Sequence, residues 1–134
     1  MGGLSAPTTI LLVEDDHMTR ELAALMLGDD GYLVLSAGTA QEALSLLGQH
    51  PEVDLIFSDV QMPGGCDGMT MVRELRRRAV AIPALLTSGG MSQADATALP
   101  AHTTFLPKPY SRSGLLAALQ RMRPRPDPGA RRVA

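Results

Sequence analysis

The sequence predicts an α/β fold, an open and doubly wound sheet of five parallel strands with helices covering both faces. Three observations carry this reading. Short apolar or β-branched runs alternate five times with longer segments of helical periodicity, the order expected when parallel neighbours are joined by crossover connections. The strand candidates are apolar throughout rather than alternating, as strands buried on both faces are. The chain has 134 residues, 45% hydrophobic and 19% charged, which is the size of one domain with one core.

The elements follow in order. TTILLVE (8–14) is too short for an ordinary helix and reads as the first strand. The segment 16–31 places Met18, Leu22, Leu25 and Met26 at helical spacing as the apolar stripe of helix one, and Gly31 supplies the stop. YLVLSA (32–37) is strand two, and 39–50 is helix two with Thr39 as N-cap and Glu42 completing a capping box. VDLIFSD (53–59) is strand three. After a Pro-Gly-Gly loop, 67–78 is helix three, with Met69, Val72 and Leu75 inward and arginines toward its C-terminus, where the helix dipole favours them. IPALLTS (82–88) is strand four, 91–99 a short, weakly amphipathic helix four ended by Pro100, and TTFL (103–106) a very short strand five. Helix five spans 111–123, capped by Ser111 or Ser113. Residues 1–7 are expected to be flexible, 8–122 to form the domain, and the Pro- and Arg-rich 123–134 to be disordered.

Composition narrows the function classes. A formal charge of −2 and a pI near 5.8 argue against nucleic-acid binding through a global positive field. No apolar run approaches the roughly 20 residues that span a bilayer, and the N-terminus lacks the layout of a signal peptide, so a soluble, cytoplasmic protein with no membrane partner is expected. A single cysteine, Cys66, excludes an intramolecular disulfide. Lys108 is the only lysine among twelve basic residues.

In sheets of this kind ligands bind beyond the carboxyl ends of the strands. Strand one ends in Glu14-Asp15-Asp16, strand three in Asp59, strand four in Thr87-Ser88, and Lys108 follows strand five. If the sheet closes as predicted, these residues share one rim. Clustered carboxylates either protonate or recruit a cation, and oxygen ligands with room for water and phosphate suit Mg²⁺. Asp59 is then placed to act as a nucleophile toward a phosphoryl donor, Lys108 to neutralise phosphoryl oxygens, and Thr87 to donate its hydroxyl to the transferred group. The Lys108-Pro109 bond is one that can be cis and so turn the amine to the rim. Each feature alone has a structural reading: an acidic N-cap, a turn aspartate before Pro-Gly, a packing threonine. It is their joint occurrence at four separate strand ends that points to chemistry.

These residues resemble the receiver domain of two-component response regulators over 8–122, through the motifs ILLVEDD, IFSDVQMPGGCDG, ALLTSG and FLPKPY. The resemblance implies a flavodoxin-like (βα)5 receiver fold, phosphorylation at Asp59, an acidic pair at Glu14 and Asp15, Mg²⁺ held by Asp15, Asp59 and the backbone carbonyl of Gln61 with Glu14 beside them, and switch residues Thr87 and Phe105. It also implies Lys108 as the active-site lysine and Gln61 as a position that tunes dephosphorylation. The loop MPGGCDG resembles the version found in receivers of hybrid sensor kinases and their stand-alone relatives, and the switch aromatic is Phe105 rather than a tyrosine. The expected partners are a histidine kinase or phosphotransfer protein as donor, and an output protein on the face of helix four, strand five and helix five. On this reading the chain is no conventional enzyme, since it catalyses only its own phosphorylation and dephosphorylation.

Four alternatives stay open. A phosphate sink or relay intermediate would differ in the lifetime of the phosphorylated form. A Mg²⁺-dependent phosphatase would want a second aspartate where Gln61 stands. A phosphorylation-independent docking domain would have no need of Lys108. Arg73, Arg76, Arg77 and Arg78 read either as a docking patch or as a solvated helix end. His17, His50 and His102 share no ligand spacing.

Overall fold

The computed structural model describes residues 7–62, 67–90 and 98–122. Five strands, β1 (Thr9–Val13), β2 (Leu33–Ala37), β3 (Leu55–Asp59), β4 (Ala84–Ser88) and β5 (Thr103–Pro107), form one parallel sheet in the order β2-β1-β3-β4-β5. Four helices are described: α1 (His17–Asp29), α2 (Ala40–Gln49), α3 (Gly68–Arg77) and α4 (Arg112–Met122), the last being the predicted helix five. The predicted helix over 91–99 falls largely on 91–97, and the calls on 1–6, 63–66 and 123–134 likewise lie outside the described residues.

Two apolar layers flank the sheet. One centres on Leu11, Val13, Ile56, Met71, Val72 and Leu86 under α2 and α3; the other on Ile10, Leu12, Leu27, Phe57, Leu85 and Leu119 under α1 and α4. Successive residues of one strand feed opposite layers, so each central strand must be apolar at every position. β1, β3 and β4 are buried along their whole length. The two edge strands depart from the uniform burial expected: in β2 Leu33 and Ser36 are exposed, as are Thr104 and Pro107 in β5. An edge strand lacks a neighbour on one side, and its faces are covered only in part.

The caps explain where helices begin. Asp16 accepts from the backbone N–H of Thr19 at 2.9 Å and from its hydroxyl at 2.6 Å, which starts α1. Thr39 accepts from Glu42 N–H at 3.1 Å, while Glu42 reaches back to Gly38 N–H at 2.8 Å, one residue beyond the expected capping box. Asp67 caps α3 through Thr70 N–H at 2.8 Å, and Ser111 rather than Ser113 accepts the capping bond of α4, from Gly114 at 2.9 Å. Gly31, at φ 95°, turns the chain out of α1.

Two expectations need correction. The α1 stripe is reversed at three of its four positions: Met18, Leu22 and Leu25 are 71%, 61% and 65% exposed, while Met26 is half-buried and Ala23 and Leu27 are buried against the sheet. At the basic end of α3, Arg77 and Arg78 are solvated, at 75% and 58% exposure, and Arg76 departs from both readings. Arg76 donates to the carbonyls of Ala101 (2.6 Å), Val80 (2.8 Å) and His102 (3.2 Å), clamping α3 to the turn that enters β5. Arg77 and Arg78 both pair with Glu74.

Candidate functional site

The parallel register brings the strand ends level. Val13 lies beside Ser58, Asp59 beside Thr87, and Thr87 beside Leu106, so the residues that follow β1, β3, β4 and β5 open on one rim. Carboxylate oxygens of Glu14, Asp15 and Asp59 come within 4.8 Å of one another. Glu14 and Asp59 are only 7% exposed, whereas Asp15 faces solvent.

Each acid is held differently. Glu14 Oε2 accepts from Asp16 N–H at 3.0 Å, and its backbone carbonyl accepts from Arg20 Nη1 at 2.8 Å. Asp59 Oδ1 accepts from Gln61 N–H at 3.1 Å and Oδ2 from Lys108 Nζ at 2.8 Å. Burial, reinforced by the charge of Asp59, lifts the Glu14 carboxyl to a pKa of about 7, against the bond from Asp16. Burial disfavours the Lys108 ammonium, yet its ion pair with Asp59 and the charge of Glu14 outweigh that and hold it above its ordinary range. A pocket in which burial leaves the Glu14 carboxyl holding its proton, and which offers three carboxylates within 4.8 Å and only oxygen ligands, fits a hard divalent cation.

The lysine is fixed from both sides. Its N–H donates to Ser88 C=O at 3.1 Å, the Lys108-Pro109 bond is cis, and Tyr110 packs edge-on to Phe57 with ring centroids 5.9 Å apart. Thr87 is 2% exposed, and its hydroxyl is the one buried side-chain polar atom without a hydrogen-bond partner among the described residues. Phe105 is half-buried, beside Leu86 in register, and joins neither apolar layer.

The structure therefore brings Glu14, Asp15, Asp59, Gln61, Thr87 and Lys108 together, leaves Phe105 to the side on β5, and uses Asp16 as a helix cap. Sequence reasoning missed two supporting residues, Arg20 and Gly68, and the contact made by a third, Ser88, which it had placed on the rim. Arg20 stands one helical turn beyond the Asp16 cap and ties α1 to the acidic pair. Gly68 sits so close beneath β3 that a Cβ there would lie 2.3 Å from the Asp59 carbonyl oxygen. Ser88 donates from its buried hydroxyl to Gln61 Oε1 at 2.9 Å. Gly68 had a visible signal in the Asp-Gly start of α3, and Ser88 in its place at a strand end; Arg20 had none in local pattern.

An acidic pocket beyond the carboxyl ends of a doubly wound sheet, with a lysine paired into it, is consistent with a site for a phosphoryl group beside a cation. The description "Response regulator receiver domain" matches residues 10–120, and the chain belongs to that family. Sensor kinase CckA of Brucella abortus is 39% identical over 92% of the chain, and response regulator MprA of Mycolicibacterium vanbaalenii 35% identical over 92%. The chain spans 13% and 54% of the lengths of these two relatives. Among solved structures, chemotaxis protein CheY4 of Vibrio cholerae matches with a TM-score of 0.77 at 31% identity, covering 87% of this chain and 99% of that one. The receiver domain of hybrid histidine kinase CckA matches at 0.72 and 34%, covering 85% and 97%. The fold is the CheY-like receiver fold, and receiver domains of this family work with histidine kinases in two-component signalling. No helix among the described residues is long and apolar enough to cross a membrane.

Proposed function

We propose that the chain is a cytoplasmic phosphoacceptor module in which Asp59 takes a phosphoryl group from a histidine kinase or phosphotransfer protein. The observation that carries this is the Asp59 carboxylate, buried yet ionically paired to Lys108 at 2.8 Å and within 4.8 Å of two further acids. A carboxylate oxygen of Asp59 attacks phosphorus, the bond from phosphorus to the donor nitrogen breaks, and the histidine leaves as imidazole. Lys108 exchanges its bond to Asp59 for one to a phosphoryl oxygen and offsets its charge. Asp15, Asp59 and the Gln61 carbonyl, with Glu14 beside them, would hold Mg²⁺, which supplies further charge neutralisation of the phosphoryl oxygens. The unpartnered Thr87 hydroxyl is available to the new acceptor oxygens, and its movement toward them opens space for Phe105. The output surface is then the face that carries β5 and α4.

The reversed α1 stripe supports a protein donor. Delivery to Asp59 requires a partner that covers the rim, and α1 starts at that rim. A cleft of about 580 Å³ lined by Thr19, Gly89, Lys108, Pro109 and Tyr110 adjoins the start of the exposed Met18-Leu22-Leu25 row. An apolar face of this kind suits a helical partner.

Incubation with Mg²⁺ and acetyl phosphate or phosphoramidate should add one phosphoryl mass to the intact protein. The gain should vanish in Asp59→Asn and with EDTA. Equal labelling of Asp59→Asn would refute the assignment, and labelling nowhere would leave a docking domain.

A further inference from the structure

We propose that Ser88 is a positioning residue that latches the Gln61 side chain and thereby lengthens the life of the phosphorylated form. The proposal rests on the phosphoacceptor reading above and concerns how its product is lost.

Ser88 ends β4 and is 1% exposed. Its hydroxyl donates to Gln61 Oε1 at 2.9 Å and accepts from Gly90 N–H at 3.0 Å, while its carbonyl accepts from Lys108 N–H. Gln61 is itself exposed, but its backbone N–H is bonded to Asp59 Oδ1. Its carboxamide therefore starts from a point fixed beside the acceptor carboxylate, and Ser88 decides which way it turns. Gln61 and Gly90 both line a cleft of about 260 Å³ that adjoins the rim.

Loss of the phosphoryl group is hydrolysis. Water oxygen attacks phosphorus, the bond from phosphorus to the Asp59 oxygen breaks, Asp59 leaves as carboxylate, and the protons of the water go to the phosphate released and to solvent. A carboxamide oxygen near the acceptor can orient the attacking water, as glutamines do in phosphoryl hydrolysis. In this structure that oxygen is already engaged by a buried hydroxyl which holds it toward β4. The carboxamide so held is withdrawn from the water, and release of the latch returns it.

The chain should be loaded with acetyl phosphate and Mg²⁺, freed of donor, and its decay followed by intact mass in wild type, Ser88→Ala, Gln61→Leu and the double variant. Ser88→Ala removes only the hydroxyl and keeps the backbone bond to Lys108. It should speed decay by about 2- to 10-fold, the rate equivalent of one neutral hydrogen bond. The double variant should decay as Gln61→Leu does alone, and the Gln61 side-chain amide resonances should move in unphosphorylated Ser88→Ala. Decay of Ser88→Ala at or below the wild-type rate overturns the proposal, as does equal acceleration in the Gln61→Leu background or an unmoved amide signal. If wild type gains no phosphoryl mass, the phosphoacceptor reading falls and takes this proposal with it. A mass gain with unaltered decay overturns the latch alone.

Discussion

Thr87 has a buried hydroxyl with nothing to bond to among the described residues. Leaving such a group unsatisfied costs about 1–3 kcal/mol, so the resting domain carries a local penalty that a transferred phosphoryl group would relieve. Thr87→Val removes the hydroxyl and keeps the β-branched shape. It should stabilise the unphosphorylated protein by about 1 kcal/mol in urea titration, and on the phosphoacceptor reading it should abolish any change in amide exchange across β5 that phosphorylation brings. A destabilised Thr87→Val would show that the hydroxyl is satisfied in solution. The residue types of this site were legible from strand ends alone, because a parallel sheet delivers them to one edge. The contacts of Arg20 and Ser88 were not, since their partners are a carbonyl and a carboxamide that no periodicity marks.

Elements show where sequence patterns stop deciding. Helix α1 reads Glu21-Leu22-Ala23-Ala24-Leu25-Met26-Leu27 and is apolar on more than one side, so spacing predicts a helix without fixing its rotation. The larger Met18, Leu22 and Leu25 were the natural inward row, yet the sheet takes Ala23 and Leu27. α3 posed less ambiguity, because Arg73, Glu74 and Arg77 mark its outer side and Met69, Val72 and Leu75 go inward as expected, joined by Met71. Its start is tightly constrained: Gly68 N–H donates to Val60 C=O at 2.8 Å, beneath the Asp59 carbonyl. Gly68→Ala forces α3 away from β3. We expect a loss of about 1–3 kcal/mol, the usual cost of overpacking, together with slower labelling of Asp59 by small phosphodonors. Unchanged stability would mean that α3 shifts freely.

For the molecule as a whole, pH and metal act through the same acids. The folded state keeps the Glu14 proton up to a pKa of about 7, while the unfolded chain releases it near 4.5, the ordinary value for a glutamate. The folded state therefore binds more protons across that window, and this contribution to stability is lost as pH rises through it. Without metal, Tm should fall between about pH 5 and about pH 8 from this source, and Glu14→Gln should flatten the decline. If the acidic cluster holds Mg²⁺ as proposed, the ion would compete with that proton, and its affinity should rise over the same range. At a concentration of about 100 times Kd it should add about 2.7 kcal/mol, readable as a Tm increase that Asp15→Asn diminishes. A pH-independent Mg²⁺ affinity would remove Glu14 from the site.

The sheet order also sets which part of the site is lost first. Asp59 and Thr87 end central strands, paired on both sides, but Lys108 follows the edge strand β5, whose entry is held by Arg76 and whose exit is held by Ser88 and Tyr110. Local openings favour edges and sparsely packed segments over the centre of a sheet. Under heat or denaturant the bond of Lys108 to Asp59 should therefore be lost while most of the backbone is still protected from exchange. On the phosphoacceptor reading, labelling of Asp59 should fail at a lower temperature than the one at which the fold melts.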